Sequence, residues 1–326
     1  MDYSFFRDLL SFDSTSGQER EVALCLYDTL QAPRKEQFEV GDGTLNLLLS
    51  WGTPKVVFCS HMDTVPPYIP PTFEEGVVKG RGSCDAKGQI FAMYTACKEL
   101  EAEGCTDFGL LLVSGEETGS WGAKAFSKTG FEAPFLIVGE PTENKMVSAS
   151  KGTLSYDLTF TGKPFHSGYP QYGVSAVDLF NTFYNQLKAQ DWGLDPELGE
   201  TTFNIGLLHS DNPQNILSAR LTCRLYFRTT FASHEAVQQW MRAIPEATLR
   251  APGDTPAHYV TLPGFPSAPV AFGSDAPHLT GFAHKIICGP GTIRVAHRPE
   301  EHILTADLET AVQQYVALFH NLLSDS

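Results

Sequence analysis

The sequence VVFCSHMD at residues 56–63 is the starting point for the fold class, because it begins with a short apolar run. The run ends directly in His61 and Asp63, two side chains that can bind a metal ion. Short apolar runs of this kind are typical of buried strands. Similar runs follow at residues 109–113 and 135–138, and helical patterns at residues 88–100 and 123–128 alternate with them. This alternation predicts an α/β domain whose mixed, mostly parallel sheet is flanked by helices on both faces.

The pattern changes near residue 150. Residues 153–161 and 219–228 alternate with period two, as half-exposed antiparallel strands do, and helical patterns at residues 174–189 and 234–243 accompany them. The first pattern returns with a strand at residues 285–288 and a helix at residues 305–323. We therefore predict a catalytic domain formed by residues 1–149 and 253–326, interrupted by an inserted α+β domain at residues 150–252.

A second local signal lies near the start of the chain. Ser16 and Glu19 have the spacing of a capping box, and apolar residues follow at helical positions from Val22 to Leu30. The sequence therefore predicts a helix that is capped by these two side chains.

Composition restricts the partners and the compartment. The net charge of −15 over 326 residues argues against binding to nucleic acid or to an anionic membrane surface. No run approaches the roughly 18 apolar residues of a membrane span, and the first residues do not resemble a signal peptide. The cysteines form no CxxC pair. We expect a cytoplasmic protein without a disulfide framework that acts on a small molecule.

Metal-capable side chains follow the predicted strands, at the edge of the sheet where ligands bind in such folds. His61 and Asp63 follow the first strand, Glu116 and Glu117 the second, and Glu140 the third. Taken singly, the segment with His61 and Asp63 could be a surface loop, the pair Glu116 and Glu117 could be solvated, and Glu140 could lie in a plain turn.

Two further residues complete the pattern. Asp85 lies in the glycine-rich turn GRGSCDAKG at residues 80–88, which lacks a phosphate-loop signature and also suits a helix N-cap. His297 follows the turn at residues 289–291, where a surface histidine is the simpler interpretation. Together the side chains form a five-ligand set that suits two zinc-like ions sharing one carboxylate: His61, Asp85, Glu117, Glu140 and His297.

These segments resemble the M20 family of metallopeptidases and deacylases, which includes acetylornithine deacetylase and succinyl-diaminopimelate desuccinylase. The matching motifs are HMDTVP at 61–66, GRGSCDAKG at 80–88, GEE at 115–117, GEPT at 139–142 and AHRPEEHI at 296–303. The resemblance implies a zinc-exopeptidase-like fold in which the inserted domain is a lid and also forms a homodimer interface.

The resemblance also implies a role for each residue of the metal centre. His61 and Glu140 would complete one metal site, Glu117 and His297 the other, and Asp85 would bridge both. Asp63 would orient His61, and Glu116 would be the general acid/base.

In the lid, the resemblance assigns the oxyanion to His166, in the segment GKPFHS at 162–167, and substrate binding to Asn215 and Arg228. Arg228 would hold the α-carboxylate, which a planar guanidinium suits. Ser274 lies in a glycine-rich stretch and is a further residue that we expect to contact substrate.

The expected reaction is amide hydrolysis by a water that bridges two divalent ions, with zinc favoured and cobalt or manganese as alternatives. Deacylation of an N-acyl amino acid, as in acetylornithine deacetylase, is the first hypothesis, because Glu140 in GEPT resembles the deacetylase branch. A dipeptidase or carboxypeptidase acting on short peptides is the alternative. A non-catalytic binding protein that metals merely stabilise is a third interpretation.

Overall fold

The computed structural model describes residues 1–41, 43–251 and 253–324. The helices are α1 (Ser4–Leu10), α2 (Arg20–Thr29), α3 (Lys87–Ala102), α4 (Trp121–Ser127), α5 (Ala176–Lys188), α6 (His234–Arg242) and α7 (Thr305–Ser324). The strands are β1 (Arg34–Gly41), β2 (Thr44–Trp51), β3 (Val56–His61), β4 (Thr72–Glu74), β5 (Val77–Lys79), β6 (Phe108–Val113), β7 (Ala133–Val138), β8 (Met146–Ser150), β9 (Gly152–Thr161), β10 (Leu194–Asp195), β11 (Gly199–Glu200), β12 (Thr202–His209), β13 (Arg220–Thr229), β14 (Ala247–Ala251), β15 (Ala257–His258), β16 (Ser267–Val270), β17 (Phe282–Ile287) and β18 (His302–Leu304). Short 3-10 helices span Pro170–Tyr172 and Ala276–His278.

The described residues fall into two compact units. The first unit comprises Met1–Ser148, Tyr259–Ala268 and Ser274–Ser326, and the second comprises Ala149–His258 and Pro269–Gly273. The second unit therefore extends beyond residue 252, the predicted end of the insertion, and also includes the short segment Pro269–Gly273.

A six-stranded sheet forms the centre of the first unit, in the order β1-β2-β6-β3-β7-β17. Strands β6, β3, β7 and β17 run parallel to one another, whereas β2 pairs antiparallel with both β1 and β6. Every residue of β3 and of β6 is buried, as expected of parallel strands covered on both faces. The prediction of a mixed, mostly parallel sheet is confirmed.

Helices pack on this sheet through buried apolar side chains. Helix α3 packs on α7 and on β3, while α2 packs on β2 and α4 on β1. Aromatic pairs join α7 to the sheet, with Phe58 and Tyr315 at 5.8 Å and Phe108 and Phe319 at 5.5 Å between ring centroids. Fully burying a large apolar side chain contributes about 1.5–3 kcal/mol. The strand ends that carry the functional residues therefore project from a well-packed scaffold.

The second unit is built on the antiparallel sheet β12-β13-β9-β14. Strands β9 and β13 alternate between buried and less buried positions, and α5 packs on both of them. Ser175 caps α5 by accepting a hydrogen bond from the Val177 N–H at 3.2 Å. These elements confirm the predicted antiparallel strands and helices of the insertion.

The predicted capping box at Ser16 and Glu19 is wrong, although the helix that follows it is present as α2. The Ser16 hydroxyl donates to Asp63 Oδ2 at 2.8 Å, and the fully buried Glu19 accepts from the Gly115 N–H at 3.0 Å. A buried main-chain N–H without a partner is costly, whereas N–H groups at an exposed helix end can donate to water. The side chains of Ser16 and Glu19 therefore bond to Asp63 and to the Gly115 N–H and do not cap α2.

Among the described residues, no helix is both long enough and apolar enough to cross a membrane.

Candidate metal centre

The metal-capable side chains lie at one edge of the central sheet. His61 is the last residue of β3, Glu116 follows β6, and Glu140 follows β7. Because β3, β6 and β7 are parallel neighbours, their carboxyl ends meet at the same edge.

The first group of potential ligands comprises His61, Asp85 and Glu140, which are all buried and whose ligand atoms lie within 4.8 Å of one another. His61 Nε2 lies 3.2 Å from Asp85 Oδ1. Glu140 Oε1 is buried and has no hydrogen-bond partner among the described residues. A carboxylate oxygen left in this state is unfavourable unless a cation occupies the space before it.

The second group comprises Asp85, Glu117 and His297. His297 Nε2 lies 2.8 Å from Glu117 Oε1 and 3.3 Å from Asp85 Oδ2. The two oxygens of Asp85 thus face different imidazoles, which is the arrangement that a bridging carboxylate requires. The oxygen and imidazole donors of both groups fit two zinc-like ions.

His297 has an unusual backbone. Its φ of 62° lies in the left-handed region, which residues other than glycine seldom adopt. Strain of this kind persists where the surrounding structure imposes it, often at functional sites. Here the conformation accompanies an imidazole directed at Asp85 and Glu117.

The pKa values of the potential ligands show that negative charge is in excess at this centre. Burial and the nearby charge of Glu116 raise the pKa of Glu140 well above its usual range. Hydrogen bonds to Asp85 and Glu117 raise the pKa of His297 to about 10. Burial alone would raise the pKa of Asp85, but hydrogen bonds from His297 and His61 hold it below its usual range. A divalent cation would supply the charge that protons supply here.

Asp63 organises the loop that carries Glu116 and Glu117. It is fully buried and accepts from the Glu116 N–H at 3.0 Å and from the Glu117 N–H at 3.1 Å. His61 Nδ1 lies 3.0 Å from the Asp63 main-chain oxygen and 3.4 Å from its carboxylate. A proton on Nδ1 leaves Nε2 free as a ligand. His61 Nδ1 therefore contacts both the main-chain oxygen and the carboxylate of Asp63.

Sequence reasoning missed the group that holds the Asp85 turn. Glu301, which is 1% exposed, accepts from the amides of Gly82, Cys84 and Asp85 at 3.0, 3.1 and 3.0 Å. Its other oxygen pairs with the buried Arg81. The residue lies within the AHRPEEHI motif, but an acidic pair in a sequence usually indicates solvent. Only the three-dimensional contacts reveal its role.

Ser274 and Asp275 lie in the first unit. Ser274 is buried, and its hydroxyl accepts from the Ala276 N–H at 3.3 Å, so its predicted contact with substrate stays a prediction. Asp275 is 1% exposed, and its Oδ1 has no hydrogen-bond partner among the described residues. Burial raises the pKa of Asp275 to about 6, whereas the charge of His61 lowers it. Asp275 is therefore, after Glu140, a second carboxylate that has a buried oxygen without a hydrogen-bond partner among the described residues.

The three predicted lid residues lie in the second unit. His166 and Ile216 form an isolated antiparallel β-bridge through their main chains, and the neighbouring Ser167 N–H donates to the Asn215 main-chain oxygen at 2.9 Å. The structure thus brings His166 and Asn215 together. Arg228 lies on β13, and its guanidinium packs 5.0 Å from the ring centroid of Tyr226.

Comparison with known proteins adds independent findings. The model of the family described as peptidase family M20/M25/M40 matches residues 57–321. A probable carboxypeptidase from Aspergillus terreus is 33% identical over 96% of this chain and 84% of its own length. Two solved structures share the fold. A tripeptidase from Staphylococcus aureus has a TM-score of 0.79 and 19% identity over 95% of each chain. A dinuclear metal binding peptidase of the M20 family from Bacillus subtilis has a TM-score of 0.69 and 12% identity over 95% of this chain and 94% of its own.

Proposed function

Because the chain belongs to the peptidase family M20/M25/M40, we propose that it is a two-metal hydrolase that releases the C-terminal amino acid from short peptides. Membership confirms the resemblance predicted from the motifs and makes the protein a hydrolase of peptide or amide bonds. One observation carries the proposal, namely two groups of ligands that share Asp85 beside an unligated Glu116.

The metal centre would hold two divalent ions, with zinc preferred because imidazole and carboxylate donors are its usual ligands. His61, Glu140 and Asp85 would hold one ion, and Glu117, His297 and Asp85 the other. When bound, the ions supply Lewis-acid activation of a water molecule and of the scissile carbonyl.

Glu116 is the residue that we propose moves the proton. It belongs to neither ligand group, and its N–H is fixed by Asp63. Burial, assisted by the charges of Asp275 and Glu117, raises the pKa of Glu116 well above its usual range. A carboxylate of raised pKa takes a proton from water more readily. The same carboxylate oxygen then returns the proton to the departing amine nitrogen.

For the oxyanion and the substrate carboxylate, the proposal relies on the family resemblance of the second unit. His166 Nδ1 accepts from the Gly168 N–H at 3.0 Å, so a neutral ring carries its proton on Nε2. That N–H is the donor that an oxyanion requires. Arg228 would bind the free α-carboxylate of the substrate, and Asn215 would contact the substrate beside His166.

Peptide cleavage is the first candidate reaction because the relative from Aspergillus terreus, 33% identical over most of both chains, is described as a probable carboxypeptidase. Deacylation of an N-acyl amino acid, as in acetylornithine deacetylase, is the second candidate. The glutamate at position 140 favours it, because this residue resembles the ligand of the deacetylase branch. Both reactions break an amide bond next to a free carboxylate, so they differ only in the acyl group.

A substrate panel with the zinc-loaded protein separates the two candidates. It contains dipeptides and tripeptides, the same peptides with an amidated C-terminus, and N-acetyl amino acids including acetylornithine. Release of the C-terminal amino acid from the free peptides alone supports the carboxypeptidase. Faster release of acetate would favour the deacylase. Equal cleavage of the amidated peptides would refute the requirement for a carboxylate in either form.

We further propose that the second unit forms a homodimer. It exposes large apolar side chains at Phe165, Tyr169 and Tyr172 and at the edge-strand residues Leu207 and Leu208. Exposed apolar patches often mark protein interfaces. Sedimentation should give a dimer for the wild type and a monomer for Leu208→Asp. Leu194→Asp, on the separate β10–β11 hairpin and 72% exposed, should leave the dimer intact. A monomeric wild type would refute this part.

The cytoplasm remains our proposed compartment. All seven cysteines are free thiols, five of them buried, which suits a reducing environment. Fractionation of the source cells should recover the protein with cytoplasmic markers, and recovery with secreted proteins would contradict the assignment.

A further inference from the structure

A second cluster of metal-capable side chains lies in the first unit and shares no residue with the two ligand groups of the catalytic centre. It consists of Glu103, Cys105 and His320, whose ligand atoms lie within 4.8 Å of one another. His320 Nε2 is 2.8 Å from Glu103 Oε2, and Cys105 Sγ is 3.9 Å from the same oxygen. The cluster joins the end of α3 to the last turns of α7.

We propose that Glu103, Cys105 and His320 bind an additional divalent cation of the zinc class, with one thiolate, one imidazole and one carboxylate as ligands. This mixed set of sulfur, nitrogen and oxygen donors suits zinc or cobalt better than calcium or magnesium, which prefer oxygen alone. Glu103 and His320 are exposed and Cys105 is half-buried, which leaves room for water as a fourth ligand.

The main chain holds the thiol in this position. Glu103 ends α3, and Gly104 adopts a φ of +80° in the turn that follows. The Gly104 N–H donates to the Glu101 oxygen at 3.0 Å, and the Cys105 N–H donates to the Leu100 oxygen at 2.9 Å. This is the hydrogen-bond pattern of a helix that ends in a left-handed residue. The turn therefore brings Cys105 back beside Glu103 and does not leave it on a mobile loop.

The ion pair between His320 and Glu103 involves only two of the three groups, and the Cys105 thiol donates a hydrogen bond to the same carboxylate oxygen. His258 and Glu197, in the second unit, form such a pair at 2.9 Å, and no cysteine among the described residues joins them in a ligand cluster.

Binding would connect two elements of the catalytic unit. Helix α3 begins just after Asp85, and α7 packs along α3. An ion held by residues of both segments would oppose their separation. Because it binds the folded chain, it would also raise the apparent stability of this unit.

Cobalt titration of the full chain under anaerobic, reducing conditions tests the site without measuring activity. A thiolate bound to cobalt gives a charge-transfer absorption, whereas the catalytic groups offer only oxygen and nitrogen ligands. We expect the wild type to show this absorption and to bind one more ion per chain than Cys105→Ser. His320→Ala should weaken the absorption at least tenfold at limiting cobalt.

Two matched controls exclude indirect effects. Cys25→Ser removes the other partly exposed cysteine, and His258→Ala removes the histidine of the comparison pair. Both should retain the absorption and the ion count. Absence of the absorption in the wild type at excess cobalt, or its persistence in Cys105→Ser, would overturn the proposal. An intensity per chain that rises with protein concentration would also overturn it, because the ion would then join separate chains.

Discussion

Asp85 connects the two halves of the metal centre through a single side chain. Its Oδ1 faces His61 and its Oδ2 faces His297. Replacing the Asp85 carboxylate by a carboxamide would therefore remove a negative charge that both ligand groups share. Glu116 differs because it belongs to neither group. The site therefore separates residues that would hold metal from a residue that would move a proton, and substitutions can distinguish the two roles.

Replacement of Glu116 by Gln should lower kcat by about 10²–10⁴-fold, the usual contribution of a positioned general acid or base. The metal content should stay unchanged, because Glu116 lies outside both ligand groups. Glu117→Gln is the contrasting variant and should lose metal as well as activity. Steady-state kinetics and metal analysis after dialysis measure both effects. A Glu116→Gln enzyme with wild-type turnover would disprove the assignment.

Replacement of Glu301 by Gln should destabilise the protein by about 3–5 kcal/mol, because it leaves the buried charge of Arg81 unpaired. The glutamine keeps one oxygen, so its NH2 group faces either Arg81 or the three main-chain N–H donors of the Asp85 turn, and one of these sets of contacts is lost. Metal should therefore bind more weakly. Urea unfolding and competition with a chelator measure the two changes.

Glu300 provides the control for this variant. It is the adjacent residue, is mostly exposed, and lies 3.7 Å from Arg298. Glu300→Gln should change stability by no more than about 0.5 kcal/mol, as surface substitutions usually do. Equal effects of the two substitutions would show that the buried contacts of Glu301 do not matter.

At the scale of the elements, the loop after β6 depends on the segment before α2. Glu19 accepts from the Gly115 N–H at 3.0 Å and from the Gly17 N–H at 2.7 Å. Glu19→Gln would turn an amide donor toward one of these donors and displace the loop. We expect kcat to fall by about tenfold or more with little change in KM, because small displacements of reacting groups are costly. Glu21→Gln, on an exposed position of α2, should leave both constants unchanged.

The same elements show what the sequence alone can predict. The apolar runs of β3, β6 and β7 predicted parallel strands, and the residues that follow them predicted the ligand loops, because both patterns are local. The contact of Glu19 with Gly115 spans 96 positions of the sequence, and that of Glu301 with Asp85 spans 216 positions. No local pattern predicts contacts over such separations. Strands β1 and β2 were both missed; the sequence of β1 is largely polar with weak alternation, and pairing with the buried β2 fixes it as a strand.

For the whole molecule, the acidic ligand set makes the metal-free protein sensitive to alkaline pH. The pKa of His297 rises from 6.5 to about 10 in the fold, so its stabilising contribution is present below pH 6.5 and is lost as the pH rises to 10. The pKa values of Glu116 and Glu140 are also raised, mainly by burial. Ionising these two groups above their ordinary range opposes folding, so all three residues act in the same direction. Burial lowers the pKa of Lys87 to about 7, so this one group acts in the opposite direction between pH 7 and 10 and reduces the net effect.

The metal-free protein should therefore unfold at progressively lower urea concentration as the pH rises from 6.5 to 10. Zinc should raise the midpoint more at the alkaline end, because the ligands are then deprotonated and the ion replaces the missing charge. His297→Gln removes the titrating imidazole, so its metal-free midpoint should depend less on pH. Urea titrations with zinc and with a chelator, at several pH values, measure all of these. A wild-type midpoint that rises with pH in the chelator would contradict the proposed electrostatics, since the buried carboxylates would then stabilise the fold without a cation.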